Sequence, residues 1–389
     1  MFSGLRVGLP TVGGLLTSVG PLTLFDTAAG DQFTALQYSG TDPSLTIAAG
    51  QITQNSSSVL NITASVMRGG VVINHCVDNW SVTATVRLNS WPVNARGLYV
   101  GAPTYNGFFH GGEVCRHGGS SVYALHRSVL NGSPWANGAN YSIAGAPSAV
   151  LSASRNKEVL TTSINYAGSG NTTINDTLVF ASTTLELPRM FSNFGLNFGS
   201  GQIDVLSLKV TAEYANARFA FVGDSITQGR FATTYADGFA SIIRASYPTT
   251  TLIAGAPSAT SGDWTSRIAS VTMMTPRRAF IMLGTNDIGI GVTLATWQSN
   301  MTTIINALEA AGSSVVLVSI PPRGYSPVRT QFNAWLQTLG RPYIDIYTPL
   351  ATGDALNATY DHGDGVHPNT AGHAVIASTI QAAITANGW

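Results

Sequence analysis

FAFVGDSITQGR, Phe219 to Arg230, runs from an apolar, strand-like segment directly into Gly223, Asp224 and Ser225. A serine there is either part of an ordinary strand-to-loop turn or a nucleophile held where a strand ends. The segments around it favour the second reading. FAFVG, TLIAG, AFIMLG, SVVLVSI and YIDIY alternate with helical stretches: YADGFASIIRASY, GDWTSRIASV, TLATWQSNMTTIINALEAAG, VRTQFNAWLQTLG and TAGHAVIASTIQAAIT. Alternating strands and helices make a parallel sheet with helices on both faces. Chemistry in such a sheet gathers at the carboxyl ends of the strands, where Ser225 falls.

Upstream of AEYANAR the rhythm differs. SVTATVRL, Ser81 to Leu88, sets Val82, Ala84, Val86 and Leu88 on one face. KEVLTTSINYA and IDVLSLKVTAEY do the same, with turn-formers such as GSGNTTIND between them. This period of two predicts an antiparallel β-sandwich or jelly roll. The expected organisation is a flexible arm over 1–21, a sandwich over 22–215 and an α/β domain over 216–389, in keeping with a 389-residue chain too long for one ordinary core.

A composition 44% hydrophobic and only 10% charged excludes a disordered polyelectrolyte. A formal net charge of zero, with Lys157 and Lys209 the only lysines, points to neither nucleic acid nor an anionic membrane as partner. No apolar run reaches the roughly 20 residues that span a bilayer. Glycines and prolines interrupt the first residues, so no signal peptide is visible. The Ser/Thr/Asn/Gly-rich surface and sequons such as Asn61 and Asn171 suit an extracellular or particle-associated protein, as in a phage virion. Whether Cys76 and Cys115 pair is left open.

A serine nucleophile needs a base, a group to orient that base and an oxyanion hole. The strand in RAFIMLGTNDIGIG delivers Asn286, an amide donor, at its end. DHGDGVHPNTAGH places Asp364 three residues before His367, so the carboxylate reaches the Nδ1 side of the ring and leaves Nε2 to take the serine proton.

GDSIT with Ser225, GTND with Asn286 and DGVHPN with Asp364 and His367 together resemble the SGNH (GDSL-type) hydrolase family, in family order and each at a predicted strand end. The resemblance covers Phe219 to the C-terminus. It implies a flavodoxin-like five-stranded parallel sheet and a serine esterase with a Ser-His-Asp triad of Ser225, His367 and Asp364, needing no metal or organic cofactor. The implied oxyanion hole comprises Ser225, Asn286 and one backbone N–H from the family's second block. That block departs from the pattern. In TLIAGAPSATSGDWTSRI, Ser258 takes the glycine position, Gly255 the earlier glycine, and Ile253 stands where asparagine is common. Gly262, in a shifted register, is the fallback donor. The first half loosely resembles a laminin-G or concanavalin-like sandwich, on pattern rather than motif.

Other residues have plainer readings. Asp224 and Asp287 are expected to cap helices or brace loops. Asp361 lacks the spacing of Asp364, His362 is expected in solvent and His373 in the terminal helix. Trp264 and the WQSNM segment are candidates for an acyl pocket or for core. A zinc site drawn from His110, Glu113, Cys115 and His117, with His75-Cys76, lacks ligand spacing, and a polar loop is favoured. The expected substrate is an ester on a carbohydrate, an O-acetyl group first. The sandwich is a candidate glycan binder through Trp80, Trp91, Trp135, Tyr99 or Tyr105. A glycan-binding or virion-attached recognition protein with a worn hydrolase scaffold is the rival, and a short-chain lipase or general carboxylesterase the second.

Overall fold

A computed structural model describes residues 217–389 except Thr249 and Tyr325, and in the first half the backbone of its strands, the turn at 27–30 and some side chains. The chain divides into two compact units, the second of which includes Glu213–Trp389.

In the first unit the strands pair antiparallel, as the alternation requires. Asn79–Ser90 is flanked by Ser148–Asn156 on one side and Gln202–Ala215 on the other, so Val82 faces both Ala153 and Val210. Val82, Ala84, Ala153, Leu208 and Val210 are buried, whereas Thr83 and its partner Lys209 are exposed. Successive side chains thus point to opposite faces, one apolar and one wet. On the wet face Lys209 Nζ pairs with Asp26 Oδ2 at 2.9 Å. Residues 1–19 of the expected arm, and the side chains of the aromatics expected to stack on sugars, of both cysteines and of His110, Glu113 and His117, lie outside the described residues; Gly20 and Pro21 open the strand Gly20–Asp26. Among those described, no cluster of His, Cys, Asp or Glu is placed to hold a metal ion, and no helix is long and apolar enough to cross a membrane.

The second unit holds five parallel strands: β1 (Phe219–Gly223), β2 (Thr251–Gly255), β3 (Arg278–Met282), β4 (Ser314–Val318) and β5 (Tyr343–Ile344). Their order is β2-β1-β3-β4-β5. The strands are almost continuously apolar because both faces are covered. Phe219, Phe221, Phe280, Met282, Val316 and Val318 line one face with Phe239 of α2 (Phe239–Ser246) and Ile376, Ile380 and Ile384 of α9 (Thr370–Ala386). Phe221 stacks on Phe280 with ring centroids 4.9 Å apart and meets Phe239 edge-on at 5.7 Å. Truncating such a ring typically costs about 3–5 kcal/mol.

The other face is covered by α3 (Ser261–Thr265), α6 (Leu294–Ala310) and α7 (Pro327–Thr338). Trp264, Trp297 and Phe332 are fully buried there, and Trp297 stacks on Phe332 at 4.0 Å. Of the two readings of Trp264 and the WQSNM tryptophan, core is the one the structure gives. In this strand order the chain leaves β1 for β2 on one side and returns to β3 on the other. The carboxyl ends of β1 and β3 therefore flank a crevice.

Candidate active site

Ser225 opens α1 (Ser225–Gln228), two residues past the end of β1. Asp224 is the N-cap, its Oδ1 accepting the Ile226 N–H at 2.9 Å. The turn is tight: a Cβ on Gly223 would lie 2.0 Å from Thr227 Oγ1 and 2.8 Å from the Met282 carbonyl oxygen, so only glycine lets the chain turn here. Burial pushes the Asp224 carboxyl up to about 7, with the Ile226 N–H opposing and the nearby Asp287 adding to the rise.

His367 comes from the loop before α9 and brings Nε2 to 2.9 Å from Ser225 Oγ. Its Nδ1 lies 2.6 Å from Asp364 Oδ2, while Asp364 Oδ1 accepts the His367 and Val366 backbone N–H groups at 2.8 and 2.9 Å. Burial would raise the Asp364 carboxyl, but these donors outweigh it and hold it at about 2. The His367 imidazole is lowered from its ordinary value, mainly by burial. Asp364 opposes that shift; Arg230 and His362 reinforce it.

The loop is braced from within. Asn369 caps α9 by accepting the Gly372 N–H at 3.1 Å, and its Nδ2 donates to the Thr359 and Asp361 carbonyls, each at 3.0 Å. Asp361 accepts the N–H groups of Gly363 and Gly365, so it shapes the loop rather than facing the ring. His362 is exposed and stacks on Phe231 with centroids 3.9 Å apart. His373 is fully buried: Nδ1 accepts the Phe239 N–H at 3.4 Å and Nε2 donates to the Arg230 carbonyl at 3.1 Å. Burial lowers it to about 4.

Asn286 lies in the first turn of α5 (Thr285–Gly289), directly after β3. Its Nδ2 donates to the Ala259 carbonyl at 3.0 Å. An amide nitrogen carries two hydrogens, so this bond fixes the side chain and leaves one N–H to give. Beside it, buried Asp287 accepts the Ser261 N–H at 3.0 and 3.2 Å and the Ser261 hydroxyl at 2.5 Å. Asn300 adds a bond to the same hydroxyl at 3.0 Å. The sequence marked Asp287 as a brace; its partner across the crevice, Ser261, gave no sequence signal because a serine in a Ser/Thr-rich chain does not stand out.

The second block forms the turn from β2 into α3. Gly255 ends the strand. Ser258 is exposed, with φ +59°, the left-handed conformation that glycine adopts without strain. Gly262 is the residue after Ser261, inside the first turn of α3. The structure therefore brings Ser225, His367 and Asp364 together as one hydrogen-bonded chain, fixes Asn286 beside the second block, and gives Ser258 the backbone of a glycine. Arg230, Phe231 and Arg323 also border this loop cluster, and no motif in the sequence marks them.

Residues 221–375 match the GDSL-like lipase/acylhydrolase family model. The C-terminal region is a GDSL-type acylhydrolase domain. No curated protein shows significant similarity to the chain. Among solved structures, the chain is similar to a candidate acylhydrolase from Bacteroides fragilis, with 26% identity over 44% of this chain and 87% of the other, at a TM-score of 0.38. A GDSL-like lipase from Bacteroides thetaiotaomicron matches at 23% identity, over 44% and 89%, with a TM-score of 0.38. A carbohydrate esterase family 3 protein from Talaromyces cellulolyticus matches at 21%, over 43% and 96%, with a TM-score of 0.36. The stretch matched by the family model, 221–375, carries the five-stranded parallel sheet and its flanking helices.

Proposed function

We propose that this GDSL-type domain is a serine esterase in which Ser225 is the nucleophile, His367 the base and Asp364 the group that orients the base. The observation that carries the reading is the unbroken chain from Ser225 Oγ through His367 to Asp364, at 2.9 and 2.6 Å. His367 Nε2 takes the serine proton as Oγ attacks the ester carbonyl, and returns it to the departing alcohol. Water then enters by the same route and releases the acid. Asp364, ionised at any ordinary pH, keeps Nδ1 protonated and stabilises the imidazolium.

The oxyanion would be held by the Ser225 N–H, the Asn286 amide and one second-block N–H. Both Ser258 and Gly262 remain candidates for the last. The Ser261 N–H is already taken by Asp287, and Gly262 follows it on a helical turn fixed by that bond. This favours Gly262 over Ser258.

The substrate proposed is an O-acetyl ester on a carbohydrate, with a glycan-binding role for the N-terminal β-sandwich and an extracellular or particle-associated setting. Supporting a small acyl group, Trp264 and Trp297, the aromatics that would wall a larger acyl pocket, are core residues. The test is p-nitrophenol release from the acetate and longer acyl esters, followed by acetate release from acetylated xylan, comparing wild type with Ser225→Ala. Acetate preference, lost to background in the variant, is expected. Preference for long chains would replace the acetyl reading with a lipase, and inactivity of the wild type on every ester would favour the recognition-protein reading.

A further inference from the structure

Beside the triad sits a cation with no counter-charge among the described residues. The Arg230 backbone N–H donates to the Ser225 carbonyl at 3.0 Å, which ties this residue to the nucleophile's turn. Its guanidinium carbon lies 5.0 Å from the centroid of the Phe231 ring. That ring stacks on His362 and meets His367 edge-on at 5.0 Å. Arg230 Nε is buried without a hydrogen-bond partner, and among the described residues no carboxylate pairs with this guanidinium.

The acids of the neighbouring segments are engaged elsewhere. Asp364 is held by His367, Asp361 by the N–H groups of Gly363 and Gly365, and Asp237 by the Thr234 N–H and hydroxyl. The backbone here is also strained and held. Phe231 has φ +66°, a conformation costing an aromatic residue about 1–2 kcal/mol, and His373 clamps the preceding carbonyl from the core. A buried, unpaired donor on a strained, rigidly held turn is an arrangement that stability alone disfavours.

Building on the esterase reading, we infer that Arg230 recognises an anionic group, a carboxylate, on the alcohol portion of the ester. The side of the substrate follows from the chemistry. His367 Nε2 must reach the leaving oxygen to protonate it, so the alcohol portion runs past His367, where Arg230, Phe231 and His362 lie. A carboxylate there receives the Arg230 donors and the cation's charge together, while Phe231 offers a face to the rest of the alcohol. The preferred glycan would therefore be acidic.

The experiment compares 3-acetoxybenzoate with 3-acetoxybenzamide, which differ only in the charge of the group on the leaving phenol. Wild type is expected to favour the acid in kcat/KM by about tenfold, mostly through KM, as for a charge-assisted hydrogen bond. That ratio should shrink in high salt, fall towards one in Arg230→Gln and stay partly intact in Arg230→Lys. Each ratio is internal to one protein, so a partly misfolded variant does not distort it, and the salt arm needs no variant. Equal use of both esters by wild type, or an unchanged ratio in Arg230→Gln, overturns the inference while leaving the esterase intact. Failure to hydrolyse either ester, or acetylated glycans, overturns both.

Discussion

The Asp287 carboxylate accepts both the backbone N–H and the hydroxyl of Ser261, joining the head of α5 to the head of α3 across the crevice. It is buried, and burial raises it from the ordinary carboxylate value. One side chain thus fixes the relative position of Asn286, its chain neighbour, and of the second-block turn. Asp287→Ala leaves the Ser261 N–H unmatched in a buried place, a loss of about 1–3 kcal/mol. Urea unfolding should show that loss, and kcat should fall with KM little changed. A variant as stable and as fast as wild type would remove Asp287 from this role.

Asn286 itself is expected to act on turnover. Removing one oxyanion donor typically costs about 10²–10³ in kcat. Asn286→Ala should lose that much on p-nitrophenyl acetate; unaltered turnover would take Asn286 out of the oxyanion hole.

The pH profile follows from His367. As the proposed base, its ring must be neutral to take the serine proton, and burial sets its value below the usual 6.5. Activity should therefore rise along an acid limb lying below pH 6.5 and be flat above it. In Asp364→Asn the one partner that raises the ring is gone, so the limb moves further down, and kcat should drop about 10⁴-fold as the tautomer is lost. A limb that moves up in Asp364→Asn contradicts this arrangement.

His373 makes a separate prediction about stability. Unfolded, it takes a proton near 6.5; folded, burial resists that proton down to about 4. The folded value is depressed, so the folded state binds fewer protons over this interval. Stability is full above pH 6.5 and declines as pH falls from 6.5 to 4, by up to about 3 kcal/mol. His373→Gln should be less stable at pH 7, having lost its bonds, yet show less of this acid decline. Parallel denaturation curves at pH 7 and 5 decide it.

Ser258 holds φ +59°. Ser258→Gly should stabilise the domain by up to about 1 kcal/mol, because the serine Cβ is strained there and glycine's is absent. A lower melting temperature in this variant would mean the serine side chain supports the turn.

The parallel sheet and its helices were legible because strands buried on both faces read as short apolar runs, and FAFVG, AFIMLG and SVVLVSI are such runs. Ser225, Asn286, Asp364 and His367 were legible because each falls where a predicted strand ends or a helix begins. The second block was harder. A backbone N–H leaves no mark on residue identity, and Ser258 adopts a glycine's conformation without being one. Ser261 and Arg230 escaped notice for another reason: their roles depend on partners 26 residues ahead in one case and on a missing partner in the other, and neither is written in local sequence.

Ser225 and His367 stand 142 residues apart in the chain and meet through one hydrogen bond. Any local opening that lifts the loop before α9 silences the serine while the sheet beneath stays whole. Warmed or mildly denatured samples should thus contain molecules that are folded by ellipticity yet dormant towards esters, and that reawaken on return to native conditions without refolding their core.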